Sequence, residues 1–253
     1  AAAIFPMELV SVGIMHYMAL VPCVVSSLTA HAIASLLGVS GHFFEISNIP
    51  TFKLIPTLEI TTVAVLCAFL SVIFCWFLHK TEETYKKIFP NPYIRIVAGG
   101  CLLMFLNSII GQYHQNGISV GIIEECIRGT TVPMAFLFKM VLTSLTLGAG
   151  YKGGEIVPSL FIGASFGNLI GQISGINPAF CGAIGAISLF CGVTNCPISA
   201  LLISFELFGY DGMPYYLLAI AFSYMLSGYS GVYRSQKIMY SKYKTDFINK
   251  HTL

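Results

Sequence analysis

Charge is what this chain has least of. Of its 253 residues only 9% are Asp, Glu, Lys or Arg, against about 25% in an ordinary soluble domain. From Ile156 to Phe205 a run of about 50 residues carries none of them. A buried core helix does not need such a run, whereas a membrane span needs about 20 apolar residues. The net charge of +2 is too small to point to a nucleic-acid partner. The eight cysteines form no CxxC pair and no Cys/His cluster, which removes a zinc framework and leaves them as small packing residues. HExxH, GxSxG and Walker A patterns are missing as well, so the common signatures of hydrolase and nucleotide chemistry are absent and no cofactor is expected. The first residues, "AAAIFPMELV", offer neither an initiator Met nor a basic segment and do not look like a signal peptide. They open inside an apolar stretch, as expected of a piece of a longer chain.

What is present is apolar: 56% of the residues, with a mean hydropathy of +0.79. The apolar blocks fall at about 2–38, 60–79, 93–111, 132–149, 156–175, 178–208 and 213–230. These are solid blocks rather than the short alternating segments of a β-barrel. The expected fold is therefore all-α: a polytopic, multi-pass integral membrane protein, with the cell membrane as its expected location. Several blocks are broken. "VTNCPISA" interrupts one at Asn195 and Pro197, and "KGGEIVP" interrupts another. Broken helices are tolerated in a bilayer where they line a cavity or are covered by protein, and in transporters their ends point at substrate. Lys80, Lys86, Lys87 and Arg95 form one basic cluster and residues 234–250 another; both are expected on the cytoplasmic side. Gly163, Gly167, Gly171 and Gly175 recur every four residues and predict a smooth stripe for close helix packing. A faint echo links "FPMELV" around Glu8 with "ISFELF" around Glu206. It predicts the last helices of one structural repeat in residues 1–38 and a second repeat in 39–230, while residues 231–253, which hold the second basic cluster, are expected to form a cytoplasmic tail and, by the resemblance given below, a final helix.

The stretch "GAGYKGGEIVPSLFIGASFG", residues 148–167, places a Lys, a Glu and several glycines in the middle of this lipid-soluble chain. Pro158 suits the first turn of a helix. Gly153 and Gly154 permit close backbone approach to a ligand. The first N–H groups of a helix have no internal partner and sit at the positive end of the dipole, so they can hold a dehydrated anion without burying a cation. A re-entrant loop with a purely structural role fits the same residues. Glu155 is in tension with an anion beside it. It must be protonated, turned away or paired, and Lys152 is the nearest candidate partner. Glu124 and Glu125, in "IIEECIRG", read either as a solvated face or as a carboxylate pair for proton or metal work. An intramembrane enzyme built on Glu155 or on that pair is the alternative from another class.

The same stretch resembles the second signature of the CLC chloride channel and transporter family, Gly-x-Phe-x-Pro followed by a glycine-rich helix. Gly154, Glu155, Ile156, Val157 and Pro158 match it, with Ile156 in place of Phe. "GVTNCPISALLISFELF" is similar to the family's Pro-led helix with a Glu nine positions later, here Pro197 and Glu206. "SQKIMYSK" is similar to the start of the family's last helix, whose Tyr would be Tyr240. The resemblance implies chloride or another halide as substrate, protons as a possible second one, and a homodimer with one pore per subunit. It implies that the amides of Glu155 and Ile156 hold the anion while Tyr240 donates from the opposite side. The family's serine-type contact and its gating glutamate belong to segments absent from these residues, and both are expected upstream. The inner glutamate of the proton-coupled members falls at Leu9, which is apolar as in the channels. The Gly-Gly-Glu form is similar to the fluoride-exporting branch, but that branch has Thr where this chain has Val157, so the resemblance favours chloride.

Overall fold

The computed structural model describes residues 1–39, 41, 43–46, 48–110, 125–126 and 134–252. The described helices are α1 (Phe5–Leu9), α2 (Leu20–Leu36), α3 (Leu54–Ile88), α4 (Pro92–Ile110), α5 (Ala135–Gly148), α6 (Ile156–Ser174), α7 (Pro178–Thr194), α8 (Pro197–Phe208) and α9 (Met213–Leu226). Three short strands accompany them: β1 (Ser11–Val12), β2 (Lys237–Tyr240) and β3 (Phe247–His251).

Helix α7 is the centre of the fold. It is apolar on every face, and every residue from Phe180 to Thr194 is buried, as expected of a helix surrounded by others. Small residues let its neighbours come close. A Cβ on Gly163 would strike the Gly185 carbonyl, and one on Gly167 the Cys181 carbonyl, so the stripe on α6 is in backbone contact with α7. One on Gly171 would lie 2.7 Å from the Pro178 Cα. Gly175, the fourth member, packs against nothing; it ends α6 in the left-handed conformation at φ +73°. Helices α3 and α9 cover the remaining faces of α7.

Helix α3 has 35 residues, about 52 Å at the usual rise, longer than a hydrocarbon core is thick. Its charged end, from Lys80 to Lys87, therefore stands clear of the apolar zone. Helix α2 is the opposite of α7: among its residues none is buried, and Val21, Val25, Leu28 and Leu36 face outward, a surface suited to lipid.

Residues 231–253, expected to form a final helix and tail, carry strands instead. β2 pairs parallel with β1, Ser11 opposite Lys237 and Val12 opposite Ile238, and antiparallel with β3. Ile238 is buried and Lys237 exposed, as alternation requires, and a register irregularity between Ile238 and Tyr240 breaks the alternation, leaving Tyr240 exposed. The helical body agrees with the all-α expectation, and this small sheet is an addition to it.

Candidate anion site

Both expected breaks form. Helix α5 ends at Gly148 and α6 starts at Ile156; α7 ends at Thr194, Asn195 turns left-handed at φ 59°, and α8 starts at Pro197. Each of α6, α7 and α8 has a proline in its first turn, yet their exposed donors are treated differently. At α7 the Asn177 Oδ1 accepts from the N–H of Ala179 at 3.1 Å and Phe180 at 3.4 Å, an ordinary N-cap. At α8 a carboxylate from the far end of the chain performs this role. Glu8, 7% exposed, accepts from the Ile198 N–H at 2.9 Å, the Ser199 N–H at 2.8 Å and the Ser199 hydroxyl at 2.6 Å. It is a tethered anion sitting on a helix N-terminus.

At α6 the cap position is Glu155, and its side chain makes no capping bond. The first bond of the helix runs from the Ser159 N–H to the Glu155 carbonyl at 3.0 Å. Among the described residues no protein acceptor meets the N–H of Glu155, Ile156 or Val157, and Pro158 has no N–H to satisfy. Residues 151–154 are exposed and 155–158 half-buried, so these donors lie at an accessible surface. The expected ion pair with Lys152 does not form. Both side chains stand at or near this surface, and no salt bridge within 4.0 Å joins them among the described residues.

The nearby tyrosine is Tyr233, which lies within electrostatic reach of both Glu155 and Cys196. It is half-buried and packs on the core. The loop that carries it lies across the α7–α8 break: the Val232 N–H donates to the Val193 carbonyl at 2.9 Å, and the Asn195 amide donates to the Ser230 carbonyl at 3.0 Å. Gln236 ties the loop down, its Nε2 donating to the Leu9 carbonyl at 2.9 Å and the Thr194 carbonyl at 2.8 Å. Lys242 completes the frame by donating to Asn195 Oδ1, the Tyr224 carbonyl and Ser227 Oγ at the ends of α7 and α9. Tyr240, by contrast, is 45% exposed in β2, its ring 5.6 Å from that of Phe247 and its Cβ beside Gly13. The signal for Tyr233 was within reach: it follows Gly231 in the turn after the last apolar block.

Other expectations meet the structure unevenly. Glu124 lies outside the described residues. Among those described, no group of three His, Cys, Asp or Glu is placed to hold a metal. Glu206 is exposed at the surface, while its echo Glu8 is buried and capping.

With this geometry in view, the comparisons are direct. The family described as "Voltage gated chloride channel" matches residues 1–228. The chain belongs to that family. It is accordingly a multi-pass integral membrane protein, and Tyr17–Leu36, Leu54–Ile88 and Ile156–Ser174 are long and apolar enough to cross a bilayer. It is 29% identical over 249 residues to the "Chloride/fluoride channel protein" of Pseudomonas syringae pv. tomato, covering 96% of this chain and 55% of that protein. It is 25% identical over 167 residues to the "Voltage-gated ClC-type chloride channel ClcB" of Citrobacter koseri, covering 61% and 40%. The chain thus spans about half the length, 55% and 40%, of these curated relatives. Among solved structures it superposes on a CLC-type fluoride/proton antiporter with TM-score 0.87 at 24% identity, covering 92% of this chain and 59% of that one.

Proposed function

We propose that this chain forms part of a pore for transmembrane transport of chloride or a related halide, and that the open N-terminus of α6 holds the anion. One observation carries the reading: three N–H donors, at Glu155, Ile156 and Val157, converge at an accessible helix start without a protein acceptor. Gly154 ahead of them leaves the approach bare, with nothing within 4 Å of where its Cβ would be. Pro158 sets the first turn without adding a donor. Tyr233, within electrostatic reach of Glu155 and Cys196, is proposed to take from the second break the role expected of Tyr240. Selectivity then comes from dipoles and hydroxyls rather than from a buried cation.

The remaining parts of the reading rest on the family. Residues 1–38 close a first repeat and 39–230 form the second. The working unit is a homodimer, and the serine-type contact and gating glutamate come from segments outside these residues. It is a transporter or channel and not an enzyme. A proton-coupled version is favoured by the carboxylate of Glu155 at the anion's helix, together with the neighbour titled as a fluoride/proton antiporter; the relative named as a chloride/fluoride channel protein supports the channel reading. The test is halide flux from proteoliposomes of the complete protein, with and without a proton gradient. Halide release that drives protons against their gradient identifies exchange; halide flux without proton movement identifies a channel. No halide flux from folded protein overturns the proposal.

A further inference from the structure

Tyr233 is followed by Arg234, and Arg234 reaches back to α3. Its Nε donates to His79 Nδ1 at 3.2 Å, and its Nη2 donates to Glu83 Oε1 at 2.8 Å and to the His79 carbonyl at 3.4 Å. An arginine N–H can only donate, so Nδ1 of His79 must be the accepting, unprotonated nitrogen. The other nitrogen, Nε2, lies 2.8 Å from the Gly231 carbonyl, which can only accept. Nε2 therefore carries the proton. His79 is 9% exposed and fixed as the neutral Nε2–H tautomer by bonds at both nitrogens. Both partners belong to the loop that carries Tyr233, one two residues before it and one immediately after.

We infer that His79 and Arg234 form a proton-sensitive latch that positions Tyr233 for the anion. The inference rests on the transport reading above. In the neutral state the imidazole bridges Gly231 and Arg234 and holds the loop against α3. Adding a proton to Nδ1 replaces an acceptor by a donor that points at the Arg234 N–H. The bond is lost and two cations face each other, while the bond from Nε2 to Gly231 survives. A cavity of about 280 Å³ lined by Val72, Trp76, Lys80, Glu83 and Ser230 adjoins the imidazole and gives protons a route to it.

The other charged groups around the latch do not replace it. On α3, Glu82 lies within electrostatic reach of His79 and is engaged by Lys86 at 2.5 Å, and its carboxylate is 4.0 Å from Arg234. Glu83 takes Arg234 itself, and Lys80 lines the cavity. From the strand end of the chain, Lys242 lies within electrostatic reach of Cys75, one turn earlier on α3, and its three bonds go elsewhere. On the far side of Tyr233 the anchors are amides and hydroxyls: Gln236, and the Thr252 hydroxyl donating to the Tyr233 carbonyl at 2.7 Å. Those do not titrate, so acid loosens one side of the loop and leaves the other.

The experiment compares wild type, His79→Gln and Arg234→Ala as complete proteins in liposomes, with equal pH on both sides, at about pH 7.5 and about pH 5.5, which bracket imidazole titration. Gln can accept from Arg234 and donate to Gly231 but cannot gain a proton. Wild type is expected to lose flux on acidification about ten-fold more than His79→Gln does, the factor that one charge-assisted hydrogen bond supports. The two agree within about two-fold at the higher pH. Arg234→Ala transports slowly at both pH values and has a flattened acid response. A merely structural contact would alter flux or yield without changing the ratio between the two pH values. Equal ratios in wild type and His79→Gln overturn the latch while leaving the transport reading intact. Absence of halide flux in wild type at both pH values overturns that reading and the latch with it. If His79→Gln fails gel filtration, the acid response of Arg234→Ala decides: a flattened one supports the latch and a wild-type one overturns it.

Discussion

Helices α6 and α8 begin in the same way and end up doing opposite things. Each follows a break in an apolar run, has a proline in its first turn and presents unpaired amides. At α8 those amides are closed by Glu8, a buried carboxylate from a residue 190 positions away. At α6 they are left open beside Glu155, which stays off them. Both helix starts present donors suited to an anion, and what differs is who supplies it. At α8 the anion is internal and permanent, which makes a structural joint. At α6 no protein group supplies one among the described residues, and in the reading proposed above it comes from outside.

Breaking the closed start should have the largest effect. Glu8→Ala strands two N–H groups and a hydroxyl in the interior, and the expected loss is about 2–4 kcal/mol, read as a drop in unfolding temperature in detergent. Asn177→Ala opens α7 at a smaller cost of about 1 kcal/mol in the same assay. At the open start the effects move from stability to binding. Tyr233→Phe is expected to weaken halide affinity by about ten-fold, as loss of one hydrogen bond to an ion does, with Tyr240→Phe within two-fold of wild type. Calorimetric titration with chloride checks both, and the reverse ranking would return the role to Tyr240. The smallest effect is expected from Glu155→Gln, which should keep anion uptake and change stability by no more than about 0.5 kcal/mol. Complete loss of uptake in folded protein would show that the carboxylate belongs to the binding chemistry.

The sequence disclosed these places unevenly, for physical reasons. The membrane class, the two breaks and the glycine contact of α6 with α7 are local signals: absent charge, proline and glycine position, a period of four. They were legible without any fold. The open donors at 155–157 were legible too, because the residues that make them open are adjacent. Glu8 was not, since its meaning lies in a partner 190 positions along the chain; Tyr233 had a local signal in the turn after the last apolar block, but its place beside the second break comes from contacts distant in sequence. The echo between Glu8 and Glu206 matched letters, while burial separated them: one caps α8 and the other stands at the surface. The expected last helix failed because "KIMY" is short and its pairing with Ser11 and Val12 cannot be read locally. The Lys152–Glu155 pair failed because proximity in sequence does not by itself bring an exposed and a half-buried side chain together.

The bond from Gln236 to the Leu9 carbonyl, with the β1–β2 pairing beside it, joins positions 227 residues apart. During synthesis α6, α7 and α8 can all be inserted before the segment carrying Tyr233, Arg234 and Gln236 has left the ribosome. Within these residues the proposed anion place is therefore completed late, by a strand that pairs back to Ser11 and Val12. Halting translation before residue 231 should leave protein that is lodged in the bilayer with its helices formed and its binding place unassembled.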